Sequence, residues 1–141
     1  MDHLTVTPEL FRELAYRALE IVRSHGEVYR AILCPLRGGF YLSYFMNRHL
    51  NLPILYLEIS SYRGKIQNDF EIGIKPDLPP GRYLLCDDIY DRGKTVRTIH
   101  EMFPHAVFDT ICLVSKTVEP GIWYADGVAE NSWVDFFWEI M

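Results

Sequence analysis

Leu84-Leu85-Cys86-Asp87-Asp88-Ile89-Tyr90-Asp91-Arg92-Gly93-Lys94-Thr95 is the stretch on which the reading of this chain turns. An apolar, strand-like run over residues 83–86 passes through three carboxylates into a glycine. A helix-forming stretch carrying Val96, Ile99 and Met102 follows. Carboxylates this close repel one another unless a cation or hydroxyl groups share the loop. Gly93 lets backbone approach a ligand, and the N–H groups at a helix N-terminus favour an anion. One loop therefore has an acidic half and an anion-binding half, and a sugar phosphate carried with a metal ion satisfies both. Two other readings compete. Gly93-Lys94-Thr95 matches the end of the nucleotide-binding pattern G-x-x-x-x-G-K-[ST], but its first glycine would fall on Asp88, which would aim a carboxylate into a phosphate cradle. A solvated acidic turn capping a helix is the plainer alternative.

Upstream, Thr7 is placed to cap a helix with Pro8 at its first position and Glu9 in its first turn. Leu10, Phe11, Leu14, Ala15, Ala18, Leu19, Ile21 and Val22 recur at helical spacing, and Gly26 stops the pattern. An apolar strand over 29–34, a glycine loop Leu36-Arg37-Gly38-Gly39, a helix over 40–50 and a strand over 54–59 follow. Residues 63–80 are polar and aperiodic, and read as a long excursion, a short hairpin carrying a mobile loop. Beyond the helix opened by Gly93, residues 107–114 read as a further strand. Alternating strands and helices predict an α/β domain with a parallel sheet covered on both faces. Ligands of such sheets sit beyond the carboxyl ends of the strands, where the loops 36–39, 87–95 and 115–120 all fall.

At 141 residues the chain suits a single domain spanning 1–141. With 49% hydrophobic and 23% charged residues its composition is ordinary globular, and a net charge of −5 argues against nucleic-acid binding by bulk electrostatics. Cys34, Cys86 and Cys112 each lie in an apolar run and read as buried, reduced thiols. The N-terminal sequence lacks the basic-then-apolar pattern of a signal peptide, and no apolar run is long enough for a membrane span. The cytoplasm is the expected location, with no membrane partner. His3, His25, His49, His100 and His105 are scattered without metal-ligand spacing, so no zinc site is expected.

An apolar strand running into Asp-Asp-x-x-Asp-x-Gly-x-Thr resembles the phosphoribosyl-pyrophosphate (PRPP) motif of type I phosphoribosyltransferases. Arg37-Gly38-Gly39, Ser60-Ser61-Tyr62, residues 99–104 and Trp133 extend the likeness over nearly the whole chain, toward the bacterial xanthine-guanine (6-oxopurine) enzymes. The resemblance implies a single-domain, Rossmann-like fold with a flexible hood loop at about 62–80 and a base-binding segment at about 115–141. It also implies purine salvage: transfer of the phosphoribosyl group of PRPP to guanine, xanthine or hypoxanthine, with pyrophosphate released, Mg²⁺ as cofactor, and a homodimer or homotetramer.

Residue by residue, it places Asp87 and Asp88 at the ribose hydroxyls and Mg²⁺, with Asp88 as the metal contact. Asp91 becomes the general base or proton relay near purine N7. The segment Asp91, Arg92, Gly93, Lys94 and Thr95 would hold the 5′-phosphate. Arg37 and Gly38 match the pyrophosphate loop, where the family often has a non-proline cis peptide, here at Leu36–Arg37. In the hood, Arg63 or Lys65 would cover the pyrophosphate. Lys116 would donate to O6 of the base, Trp133 would stack on it, and the Val134 backbone would read its 2-position. For Trp133 the competing reading is core packing beside Trp123, Phe136, Phe137 and Trp138. The pattern departs at Arg92, where Thr is usual, in the unaligned hood, at Glu139, where Asp is common, and at Met141, where the family runs on. The same chemistry on another base, and a non-catalytic PRPP-sensing regulator, are the competing functions.

Overall fold

The computed structural model of the protein describes residues 2–61 and 70–140. Its elements are β1 (His3–Val6), α1 (Pro8–His25), β2 (Ala31–Leu36), α2 (Phe40–Leu50), β3 (Ile54–Ser61), β4 (Phe70–Ile74), β5 (Gly81–Tyr90), α3 (Lys94–Met102), β6 (Ala106–Ser115), β7 (Ile122–Gly127) and β8 (Trp133–Phe136). The ends of α1 are those its sequence specifies. The Thr7 side chain accepts from the Leu10 N–H, Pro8 opens the first turn, and Gly26 closes the helix at φ 66°.

A six-stranded sheet has the order β4-β3-β2-β5-β6-β7, and a separate pair joins β1 to β8. Every neighbour in the large sheet is parallel except β4, which runs antiparallel to β3. β4 is the strand of the 63–80 excursion among the described residues, and the loop expected at its start, 62–69, lies outside them. Alternate strand residues feed two cores. Ile32, Leu84, Cys86, Ile111 and Leu113 face α1 and α2, where Leu14, Ala18, Leu19, Leu42 and Met46 meet them. Leu33, Leu57, Tyr83, Leu85 and Cys112 face the other side, where α3 contributes Val96 and Ile99. This two-sided burial is what the near-continuous apolar strand sequences require. Cys34, Cys86 and Cys112 are buried and free.

The sequence alone places the end of the central strand at Cys86, whereas β5 continues to Tyr90. Its ladder to β6 persists through Asp87↔Cys112, Ile89↔Val114 and Tyr90↔Ser115, so backbone pairing carries the acidic residues onto the sheet itself. The strands β1, β7 and β8 are also additional. The two short pieces, His3–Val6 and Trp133–Phe136, pair with each other in a separate two-stranded sheet.

Candidate active site

The chain leaves β2 toward β3 but leaves β5 toward β6, so the loops after these adjacent strands diverge and open a crevice between them. A cavity of about 390 Å³ fills it, lined by Gly38 of the first loop and by Asp87, Asp88 and Asp91 to Val96 of the second. Two glycines allow the loops to approach. A Cβ on Gly38 would lie 2.7 Å from a carboxylate oxygen of Asp88, and one on Gly39 would lie 2.3 Å from the Cys86 carbonyl oxygen. The Leu36–Arg37 peptide is cis, as the family resemblance implied.

The two adjacent carboxylates are half-buried at the cavity floor. Asp87 Oδ1 accepts the Asp88 N–H at 2.9 Å, and Asp88 Oδ1 accepts the Ile89 N–H at 2.7 Å, which fixes both side chains. Burial pushes the Asp87 carboxyl well above the ordinary carboxylate range, and the neighbouring charge of Asp88 pushes it further. Burial also raises Asp88, against the hydrogen bonds from Asp87 and from the Ile89 N–H, and Glu139 adds to the rise. Glu139 itself is tied down by a hydrogen bond from the Phe136 N–H to its Oε1 at 2.9 Å. Among the described residues no three acidic, histidine or cysteine groups gather into a metal site. The donor set is thus two carboxylates with room in front of them. That suits a hard divalent cation which keeps water and takes its remaining oxygens from a ligand.

The chain then turns from acid to anion site. Asp91 and Arg92 are exposed, Gly93 adopts φ 77°, and α3 begins at Lys94. Arg97 Nη1 donates to the Arg92 carbonyl at 2.8 Å and braces the turn. Because Arg92 to Val96 line the cavity, an anion there meets the positive end of α3. Gly93 is required twice, by its left-handed backbone and by the Tyr90 hydroxyl, which would stand 2.2 Å from an added Cβ. Gly93→Ala is therefore expected to lose roughly 2–4 kcal/mol of stability, read as a lowered midpoint in urea.

On the far side of the turn, Lys116 Nζ lies 3.4 Å from Asp91 Oδ2, with the lysine side chain 14% exposed and the aspartate 53%. Trp133 is 59% exposed, which excludes the core-packing reading. Its indole N–H donates to Asp135 Oδ1 at 2.9 Å, and β8 places it opposite His3, with Val134 opposite Leu4. Lys116, Trp133 and Val134 do not line the main cavity. Arg37 lines a neighbouring one of about 360 Å³ with Leu36, Phe40, Tyr41, Glu58 and Trp138. Arg63 and Lys65, the hood candidates, lie outside the described residues.

One further contact has no signature in the sequence. The Tyr90 hydroxyl donates to Glu119 Oε2 at 2.6 Å, and burial, then that hydrogen bond, pushes the phenol up to about 12. An inward tyrosine at a strand end and a glutamate 29 residues later share no periodic pattern that would link them.

A sequence model of the phosphoribosyl transferase domain matches residues 1–138. The xanthine-guanine phosphoribosyltransferase of Gluconobacter oxydans (strain 621H) is 30% identical over 147 aligned positions, covering 99% of this chain and 86% of its own. The enzyme of the same name from Idiomarina loihiensis is 28% identical, covering 92% of this chain and 80% of its own. Among solved structures, the Helicobacter pylori xanthine-guanine-hypoxanthine phosphoribosyltransferase superposes with a TM-score of 0.80 at 25% identity, covering 98% of this chain and 94% of that one. Fold, crevice and acidic loop thus coincide with a domain match that runs nearly from end to end, and the chain belongs to the phosphoribosyl transferase domain family.

Proposed function

We propose that the protein transfers the 5-phosphoribosyl group of PRPP to a 6-oxopurine base, guanine, xanthine or hypoxanthine, releasing pyrophosphate. The observation that carries this reading is the meeting of the paired carboxylates Asp87 and Asp88 with the N-terminus of α3 in one cavity. The two halves are complementary to the two ends of a phosphorylated ribose.

In the reaction the C1–O bond to pyrophosphate breaks and a bond from C1 to a ring nitrogen of the base forms. The segment from Arg92 to Thr95 holds the 5′-phosphate, and Asp87 and Asp88 orient the ribose hydroxyls. Asp88 would hold Mg²⁺, which when bound would supply charge neutralisation for the departing pyrophosphate. Arg37 and Gly38 border the pyrophosphate side, with Arg63 or Lys65 as the covering cation. Asp91 stands over the imidazole edge of the purine and takes or holds the proton at N7. Lys116, beside it, donates to O6; adenine would present an amino donor there and be rejected. Trp133 stacks on the ring, and the Val134 backbone faces the 2-position. Because a preformed base is consumed, the reaction is one of purine salvage.

Three buried free thiols fit a reducing, cytoplasmic setting, and among the described residues no helix is long and apolar enough to cross a membrane. A homodimer or homotetramer is part of the same proposal. Exposed Tyr16, Phe40 and Tyr44 on the α1–α2 surface support it, since aromatic side chains are enriched in subunit contacts.

The test is to incubate the protein with PRPP, Mg²⁺ and one base per reaction, and to resolve the products by chromatography. Nucleoside monophosphate from at least one of guanine, xanthine and hypoxanthine, with none from adenine or uracil, is expected. Product only from adenine or uracil would overturn the assignment of Lys116. Trp133→Ala should raise the KM for the purine roughly tenfold, from lost stacking, while the KM for PRPP stays within about twofold; steady-state kinetics with each substrate varied separates the two.

A further inference from the structure

Neighbouring parallel strands are ordinarily joined by a crossover of a dozen or more residues. The β6–β7 connection, residues 116–121, is shorter because it doubles back only from Ser115 to the level of Thr110, the partner of Ile122. Lys116 stands at its first position. The segment has little apolar anchorage: Val118 is 83% exposed, and Glu119, Pro120 and Gly121 are exposed too. Beside the Lys116–Asp91 ion pair, its attachment to the acidic loop among the described residues runs through Tyr90, the last residue of β5. The Tyr90 carbonyl accepts the Lys116 N–H at 3.0 Å, and the Tyr90 hydroxyl donates to Glu119 Oε2 at 2.6 Å. The tyrosine is 4% exposed, and its phenol passes beneath Gly93, so its own position is fixed by packing.

We propose that Tyr90 and Glu119 are positioning residues for base recognition: their hydrogen bond clasps the 116–121 segment to the end of β5 and sets where the Lys116 ammonium stands beside Asp91. The inference rests on the reading of Lys116 as the contact to the 6-oxo group. Neither residue is placed against the base. Glu119 acts through the segment that carries Lys116, and Tyr90 holds that segment from below. The clasp thereby links purine affinity to the same loop that binds the sugar phosphate.

Tyr90→Phe deletes one oxygen and keeps the ring, Glu119→Ala deletes the acceptor, and Glu119→Gln keeps an acceptor oxygen. Loss of a hydrogen bond to a charged group corresponds to about a tenfold effect. Tyr90→Phe and Glu119→Ala are expected to raise the purine KM by about that factor, with the PRPP KM within about twofold and Glu119→Gln in between. In a Lys116→Ala background, Tyr90→Phe should add little, because the group being positioned is gone. An unchanged purine KM, or purine and PRPP KM rising together, would overturn the proposal. Amide hydrogen exchange of 115–121 supplies a readout that needs no activity: it should quicken in Tyr90→Phe, and unchanged protection would sink the clasp. If the unmodified protein turns over no purine while exchange quickens, the functional reading fails, the purine role falls with it, and the clasp stands as structure alone.

Discussion

Asp91→Asn is expected to lower kcat by about 10²–10⁴-fold, the contribution of a positioned acid–base group, while the protein stays folded and still binds PRPP. The side chain is more than half exposed, and among the described residues its polar contact is the 3.4 Å approach of Lys116. An ion pair whose carboxylate is this open to water contributes roughly 0–1 kcal/mol, so removing the charge should leave the melting temperature within a few degrees. On the proposed reading the 5′-phosphate meets backbone N–H groups at the head of α3, so PRPP binding should not depend on the carboxylate. Steady-state turnover beside a binding measurement with PRPP alone separates the roles. A variant that loses binding and turnover together would move Asp91 from proton transfer to structure.

The paired acids should behave in the opposite sense. Asp87→Asn and Asp88→Asn are expected to abolish detectable transfer yet make the free protein more stable at neutral pH. Burial holds both carboxyls above the ordinary range in the folded protein, helped at Asp87 by the charge of Asp88 and at Asp88 by that of Glu139. The native state therefore binds more protons than the unfolded chain once the pH exceeds the unfolded value of about 3.9. Stability is fully present below that pH and falls as pH rises through the folded-state values. Asparagine cannot ionise and escapes this loss, and its side-chain oxygen can still accept the backbone N–H bonds from Asp88 and Ile89. Melting temperatures should rise by a few degrees at pH 7–8, and the gain should shrink toward pH 4. Mg²⁺ with PRPP should stabilise the unmodified protein more than either variant. Variants less stable than the parent at pH 8 would show that the acids are compensated within the protein and carry no stored repulsion.

Much of this architecture was legible because its causes are local. The ends of α1 follow from Thr7, Pro8 and Gly26, residues that specify a helix start and stop by their own chemistry. The crevice was legible because Gly38, Gly39 and Gly93 mark places where backbone must come close or turn left-handed, and three acids beside such a glycine have few purely structural uses. What was hidden depends on partners distant in sequence. The strands β1 and β8 are four residues each and form only because His3 finds Trp133 across the whole length of the chain. Asp87 and Asp88 were expected just beyond a strand and lie on it, since pairing with Cys112 and Val114 extends β5 past its apolar run. Trp133 was open between core and surface, because an aromatic-rich segment gives no period that separates its faces; pairing with β1 turns it outward. The Tyr90–Glu119 contact joins two loops and leaves no mark in either one alone.

The most direct measurement is pyrophosphate release, followed continuously with PRPP and Mg²⁺ and with guanine, xanthine or hypoxanthine added last. Release should begin only when the base arrives, should match nucleoside monophosphate one for one, and should fall by orders of magnitude in Asp91→Asn. Pyrophosphate released without any base would mean a hydrolase, and PRPP bound with no release for any base would mean a sensor; either result contradicts transfer to a 6-oxopurine.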